Sequence, residues 1–223
     1  MSFWIQYPKL SFDEEQHVYT WLGTPKRGVT SVLSSVATKV IDKNGFPDWK
    51  PVGFDDRWLR GDSTAIDFGH AFHKVAAIIL RGGVPSYPKE MEPWVKQFVR
   101  FKKDWNIVPL QDVAGNKLVE YPLCSQLMDI AGTLDLLAYF GHGKYKGRVA
   151  VFDWKSSTSQ QDHWRAQTAA YASMAKEVFG IKERILHIPV RFTADNYYPD
   201  IRDNRPEDLI LFQSCCNVLK AAA

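Results

Sequence analysis

A chain of 223 residues, 45% hydrophobic and 13% aromatic with eight Trp, buries one sizeable core and is not intrinsically disordered, so a single domain over 1–223 is expected. A net charge of +3, from 28 basic and 25 acidic residues, is too small to identify a polyanionic partner by itself. Cys124, Cys215 and Cys216 form no CxxC pair, which argues against a disulfide framework and a zinc spacing, and no apolar run approaches the ~18 residues of a membrane span.

The first ten residues, MSFWIQYPKL, show neither a signal-peptide core nor an Arg-rich transit pattern, and a cytoplasmic protein is expected. Residues 17–22 (HVYTWL), the turn-like GTPKRG and then VTSVLSSV predict a small β-hairpin running into a short helix. Residues 42–61, rich in Gly, Pro, Asp and Trp, read as an irregular connection in which Trp49 and Trp58 either pack or grip a ligand. Over 64–81, Phe72, Val75, Ala76 and Ile79 fall at helical spacing, and Gly82-Gly83 ends the helix. A second helix over 90–105 lines up Trp94, Phe98, Phe101 and Trp105 as a core face, with Lys96, Arg100, Lys102 and Lys103 elsewhere. Strands follow at 117–124, 129–140 and 148–155, then a helix over 161–179 closed by Gly180, a strand over 184–192, and a helix from Pro206 to about Lys220. The order predicts an α/β layer fold: N-terminal hairpin and helices in 1–110, a core in 115–195 and a C-terminal helix over 206–220.

Chemistry concentrates where the strand AVFDWKSST ends. Asp153 and Lys155 lie two residues apart and so share a face, and burying either charge unpaired costs several kcal/mol, roughly. If the loop GHGKYKG closes a hairpin centred on Lys144, Asp135 opposes Asp153, Leu137 opposes Val151, Tyr139 opposes Val149 and Lys155 opposes Thr133. Directly opposed side chains have Cβ atoms about 4.5–5.5 Å apart. Two carboxylates at that separation repel unless a proton or a hard divalent cation lies between them. Ordinary strand-end acids, one paired with Lys155, satisfy the hairpin equally well. On the following helix His163, Gln167 and Tyr171 recur at i, i+4 and i+8, a polar stripe near the strand's C-terminal end.

These residues carry a family resemblance. Gly132-x-x-Asp135, Asp153-x-Lys155 and Gln167-x-x-x-Tyr171 are similar to the signature of the PD-(D/E)xK nuclease superfamily, in its RecB-type exonuclease branch. Gly69-x-x-x-His73 resembles that branch's histidine motif, and Val29-Thr30-Ser31-Val32-Leu33 its N-terminal Ser/Thr segment, so the motifs span 29–171. Phage-encoded and mitochondrial genome maintenance exonucleases belong to the same group.

The resemblance implies a restriction-endonuclease-like core, a central mixed β-sheet flanked by helices, with Mg²⁺ or Mn²⁺ as cofactor. It implies Asp135, Asp153, His73 and the Trp154 carbonyl as metal ligands, Lys155 placing the attacking water, and Gln167 and Tyr171 supporting the site. Glu120 matches a glutamate of some members, and Thr30, Ser31 and His163 are candidate substrate contacts; capping the following helix is the plain role of Thr30 and Ser31. Without the family, His73 on an apolar helix reads as a satisfied core histidine. Three cysteines do not supply the four that hold an iron–sulfur cluster in some relatives, so none is expected. No P-loop is present, so any unwinding falls to a helicase or recombination partner. The implied activity is a DNA exonuclease acting on single strands or duplex ends in recombination, repair or phage DNA metabolism, in bacterial or phage-infected cytoplasm. A non-catalytic nucleic-acid-binding module of the same fold and a structure-specific endonuclease stand as alternatives.

Overall fold

A computed structural model of the chain describes residues 10–13, 16, 18–34, 63–157 and 163–221; the irregular stretch 42–61, with Trp49 and Trp58, lies outside them. The chain enters through three short antiparallel strands, β1 (Leu10–Asp13), β2 (Val18–Trp21) and β3 (Thr24–Gly28). The stretch GTPKRG, expected as a turn, is strand from Thr24 onward. Leu22 and Gly23 alone make the reversal, with φ of 51° and 79°, the two positive values that a two-residue hairpin turn requires. Residues 29–34 form a helical turn, α1, that buries Val29, Val32 and Leu33.

Helix α2 (Ser63–Arg81) buries Phe72, Val75, Ala76 and Leu80 along one stripe. Gly82, at φ 94°, ends it in a Schellman arrangement: its N–H donates to the Ile79 carbonyl at 3.1 Å, and that of Gly83 to the Ile78 carbonyl at 2.9 Å. A 3₁₀ turn (Lys89–Met91) leads into α3 (Glu92–Asp104), with Pro93 in the first turn, where its missing N–H has no intrahelical partner to lose. There follow β4 (Ile107–Pro109), β5 (Val119–Ser125), β6 (Ile130–Phe140), β7 (Val149–Lys155), α4 (His163–Phe179), β8 (Leu186–Phe192), β9 (Tyr197–Pro199) and α5 (Pro206–Ala221). Strands β1, β4 and β9 were not expected; three or four residues are too few to show a period.

Among the described residues nine strands form one sheet, in which β3 pairs parallel to β6 and β7 parallel to β8 while the other pairs are antiparallel. The fold is α/β, a central mixed sheet flanked by helices. On one face α2 and α3 cover an aromatic core of Phe72, Phe98, Phe101, Phe152, Trp154 and Phe192; on the other, α1, α4 and α5 cover Leu134, Leu137, Val151, Met174 and Phe212. Trp154 is 1% exposed, and its ring meets Phe98 at 5.2 Å and Phe101 and Phe192 at 5.9 Å. Each such pair adds about 0.5–1.5 kcal/mol beyond its buried area, so the end of β7 is held rigidly by its inner neighbour.

The β6–β7 register is the one a hairpin centred on Lys144 requires: Leu136↔Phe152, Leu137↔Val151, Ala138↔Ala150 and Tyr139↔Val149. The ladder ends at Leu136, one pair short of Asp135 and Asp153. Side-chain alternation also breaks there. Leu134 packs on the α4 side of the sheet and Leu136 on the α2 side, and across the β5–β6 ladder Tyr121 and Val119 divide the same way. Residues two apart on a regular strand share a face. Glu120 and Asp135, which lie between these pairs, are therefore where both strands switch faces. Glu120 has a φ of 45°, a left-handed conformation costing a non-glycine residue about 1–3 kcal/mol.

Candidate active site

Strand β6 is bordered along one edge by β5 and then β4. Its other edge meets β3 at Ile130 and Ala131 and β7 from Leu136 onward. Neither β3 nor β7 pairs with residues 132–135, and the candidate site occupies this gap. Side chains close it from above and below. Tyr19, from β2, places its hydroxyl 2.9 Å from Thr133 Oγ1. From α4, the Tyr171 ring lies so near Gly132 that a Cβ there would sit 2.8 Å from Cε1. The Asp135 carboxylate accepts a hydrogen bond from the Trp154 backbone N–H at 2.6 Å, replacing the main-chain partner the ladder no longer supplies.

Three ligating groups converge on the α2 side. His73 Nδ1 is 3.2 Å from Asp135 Oδ1 and 3.6 Å from Glu120 Oε1, and the ligand atoms of this trio all lie within 4.8 Å of one another. His73 Nε2 is 3.0 Å from the Trp154 carbonyl; a carbonyl only accepts, so Nε2 carries a proton and Nδ1 faces the acids. Burial pushes the His73 pKa down, but Asp135 and Glu120 outweigh it and hold the imidazole well above its usual range. Burial, with Asp135 adding to it, pushes Glu120 up despite His73 and Arg81. Glu120 Oε1 is buried without a hydrogen-bond partner.

Asp153 and Lys155 lie on the α4 side. Asp153 is 2% exposed, and its pKa is pushed up to about 6, by burial first and by Asp135, against the pull of Lys155. Lys155 Nζ stands 2.6 Å from Asp153 Oδ2, but that oxygen receives no hydrogen bond of good geometry, so the contact is an ion pair and not a directed bond. The ammonium donates to Gln167 Oε1 at 2.9 Å, and Gln167 Nε2 donates to Thr30 Oγ1 at 3.4 Å. Tyr171 is buried, and its hydroxyl pKa is pushed well above the usual value by that burial, opposed by a hydrogen bond with Gln167.

Most residues singled out in the sequence thus meet in one place. Asp135, His73 and Glu120 form one group, with Asp153, Lys155, Gln167, Thr30 and Tyr171 beside it. Glu120, read as a substrate contact, joins His73 and Asp135, and Asp153 is not among the three. The Trp154 carbonyl, read as a metal ligand, accepts from His73, which orients the ring. His163 opens α4, and its ring faces the edge of Trp164 at 6.4 Å, the ring over which Lys155 stands at 6.0 Å. Ser31 is exposed in the first turn of α1, and its hydroxyl neighbours Gly28. Tyr19 was not singled out; its place in an alternating strand gave no sign that it would meet Thr133.

The donor set suits a hard divalent ion: two carboxylates and an imidazole nitrogen in one cluster, a third carboxylate beside it, and a buried glutamate oxygen without a partner. The Trp154 carbonyl on Nε2–H is the outer hydrogen bond that ligating histidines make.

Comparison with protein-family models gives no match, and neither does comparison with curated proteins. Among solved structures, one from Eubacterium rectale described as "Putative exonuclease" superposes with a TM-score of 0.43 and 11% identity, over 82% of this chain and 80% of that one. A likeness at that level leaves function to be argued from the site.

Proposed function

We propose that the chain is a metal-dependent deoxyribonuclease of the PD-(D/E)xK superfamily, RecB-type branch, working as an exonuclease on DNA ends. The observation that carries this reading is the meeting of His73, Glu120 and Asp135 with the Asp153–Lys155–Gln167 array in the gap between β3 and β7. His73, Glu120 and Asp135 would hold Mg²⁺ or Mn²⁺, with Asp153 as a further ligand. Bound there, the ion would polarise a phosphodiester and lower the pKa of a bound water.

The chain's own groups do the rest. Gln167 accepts one hydrogen of the Lys155 ammonium and leaves others to orient the attacking water and offset charge developing on the phosphate. Thr30 anchors the Gln167 amide from α1, and its exposure places its hydroxyl within reach of a backbone phosphate. Tyr171 fills the space over Gly132 and keeps water from the inner side of the gap. Asp135 fixes the Trp154 peptide, and with it the direction in which Asp153 and Lys155 project.

The test uses purified protein with linear and closed-circular DNA and added Mg²⁺ or Mn²⁺. Degradation of linear DNA that stops with EDTA, and falls at least 10³-fold in Asp135→Asn and Lys155→Ala, is the expected result. Metal-indifferent DNA binding without cleavage would overturn it in favour of a non-catalytic module. Cleavage of closed circles would make the enzyme an endonuclease.

A further inference from the structure

Glu120 and His73 reach each other from different elements, β5 and α2. The two elements are tied at one point by a pair of reciprocal hydrogen bonds. Arg81, the last residue of α2, donates from Nη2 to the Val119 carbonyl at 2.8 Å. Lys117, two residues before β5, donates from Nζ to the Leu80 carbonyl at 3.0 Å. One cation comes from α2 and ends on the backbone of β5; the other comes from just before β5 and ends on the backbone of α2.

The Val119 carbonyl shares a peptide plane with the Glu120 N–H. A hydrogen bond that fixes this carbonyl fixes the plane, and with it the positive φ that turns Glu120 toward His73. The Leu80 carbonyl is one of the last four of α2, without a partner inside the helix, so Lys117 both caps the helix and sets its distance from β5.

We infer that Arg81 and Lys117 are positioning residues, a clamp between α2 and β5 that holds Glu120 in its left-handed conformation at ligating distance from His73. The inference rests on the metal reading above and adds to it the two residues that hold the ligands in place. Neither residue is a ligand: Arg81 is eight residues past His73, about 12 Å along the helix, and reaches Glu120 only through its charge and its bond to the Val119 carbonyl. Removing either leaves every ligand in the chain but frees the peptide plane, and Glu120 relaxes toward ordinary strand conformation and away from Nδ1.

The experiment is Mn²⁺ titration by electron paramagnetic resonance, at a temperature where circular dichroism shows every variant folded. Arg81→Ala and Lys117→Ala should each weaken Mn²⁺ binding about tenfold, the double variant more, and Arg81→Lys, which keeps a donor, should restore most of the loss. Activity of the single variants should recover at saturating Mn²⁺. A merely capping role would lower the melting temperature and leave Mn²⁺ affinity alone. Mn²⁺ binding by the double variant within twofold of wild type overturns the clamp. Glu120→Gln and Asp135→Asn are controls for the metal reading, which fails if the wild-type chain binds no Mn²⁺. In that event hydrogen exchange decides: the clamp requires the Glu120 and Tyr121 amides to exchange about tenfold faster in the double variant, and unchanged exchange overturns it.

Discussion

Gly132 is the closest approach of sheet and helix at the site, and Gly132→Ala measures how little room is left there. The added methyl would stand 2.8 Å from Tyr171 Cε1, 3.0 Å from its hydroxyl oxygen and 3.1 Å from Val29 Cγ2. Ordinary carbon contacts begin near 3.5 Å, so something must give by about 0.7 Å. Tyr171 is 4% exposed and Val29 1%, one held by α4 and the other by α1, so neither moves freely. Overpacking of this kind costs about 1–3 kcal/mol. For a chain of this length about 2 kcal/mol lowers the melting temperature by about 4–8 °C. The displacement also propagates: Tyr171 lies one turn beyond Gln167, which holds Lys155 at 2.9 Å, so activity should fall more than stability. Differential scanning calorimetry and a nuclease assay at 25 °C, where both proteins are folded, separate the two effects. In a Tyr171→Leu background the same methyl should cost less than half as much, because the obstructing ring atoms are gone and only the 3.1 Å contact with Val29 Cγ2 remains. A melting temperature within 1 °C of wild type in the single variant, or an equal cost in both backgrounds, would refute the reasoning.

Two further outcomes concern buried charge. Burial and Asp135 raise the Asp153 pKa from 3.8 to about 6, so the folded state favours its proton. The stability this gives is full below about pH 4 and is lost as pH rises through 6, a swing of about 3 kcal/mol at 1.36 kcal/mol per unit. Chemical denaturation of the EDTA-treated protein should therefore find Asp153→Asn more stable than wild type by about that amount at pH 7, and equal to it near pH 3.5; equal stability at both pH values contradicts the assignment. On the far side of α4, Asp208 is 1% exposed and accepts hydrogen bonds from Arg202 Nε at 2.9 Å and Nη2 at 3.2 Å and meets His187 Nε2 at 2.9 Å. Burial acts to raise its pKa, but Arg202 and His187 hold it below the ordinary value, so its contribution is present above about pH 4 and is lost on acidification. Arg202→Met should cost about 3–5 kcal/mol at pH 7 in urea unfolding, with nuclease activity per folded molecule unchanged; a cost below 1 kcal/mol would show that the pair is not what supports α5.

How far the sequence could be read depends on the length over which a signal repeats. Helices α2, α3 and α4 and strands β6 and β7 carry several periods each, and Gly82, Gly141 and Gly180 fall where the structure ends α2, β6 and α4. The β6–β7 register was legible because the loop from Gly141 to Gly147 is short and its flanks are apolar, so one pairing buries Leu137 opposite Val151. The facing of Asp135 was not legible. Regular alternation puts it beside Asp153, whereas β6 switches faces there and turns it to the α2 side, beside Glu120, whose positive φ nothing local demands. That conformation is imposed by contacts between elements far apart in sequence, Arg81 on Val119 among them. The TPKRG sequence of β3 misled for the opposite reason: its Pro and Gly are turn formers, yet β2 and β6 supply pairing partners that override them.

The molecule contains its own comparison for the charge at the candidate site. Around Asp208 one carboxylate meets Arg202 and His187, with Arg165 at 3.7 Å, and its pKa is lowered. Arg202 and Arg165 offset Asp208 directly, as in an ion-pair network whose task is to hold β8 to α5, while burial lowers the pKa of His187. At the gap in the sheet the balance is reversed. Glu120, Asp135 and Asp153 share His73 and Lys155, and the pKa values of Glu120, Asp153 and His73 are all raised. Burial is the first cause for Glu120 and Asp153, with Asp135 adding to both, while His73 is raised by Asp135 and Glu120 against burial; in each case the gathered acids push toward binding protons there. A site built only for stability would not gather them, since apolar residues of the same volume would cost less. A divalent cation supplies the missing positive charge without a proton, and competition between the two is the physical content of the metal reading. Protons and Mn²⁺ must then displace one another at this site, whereas Asp208 binds its proton indifferently to metal.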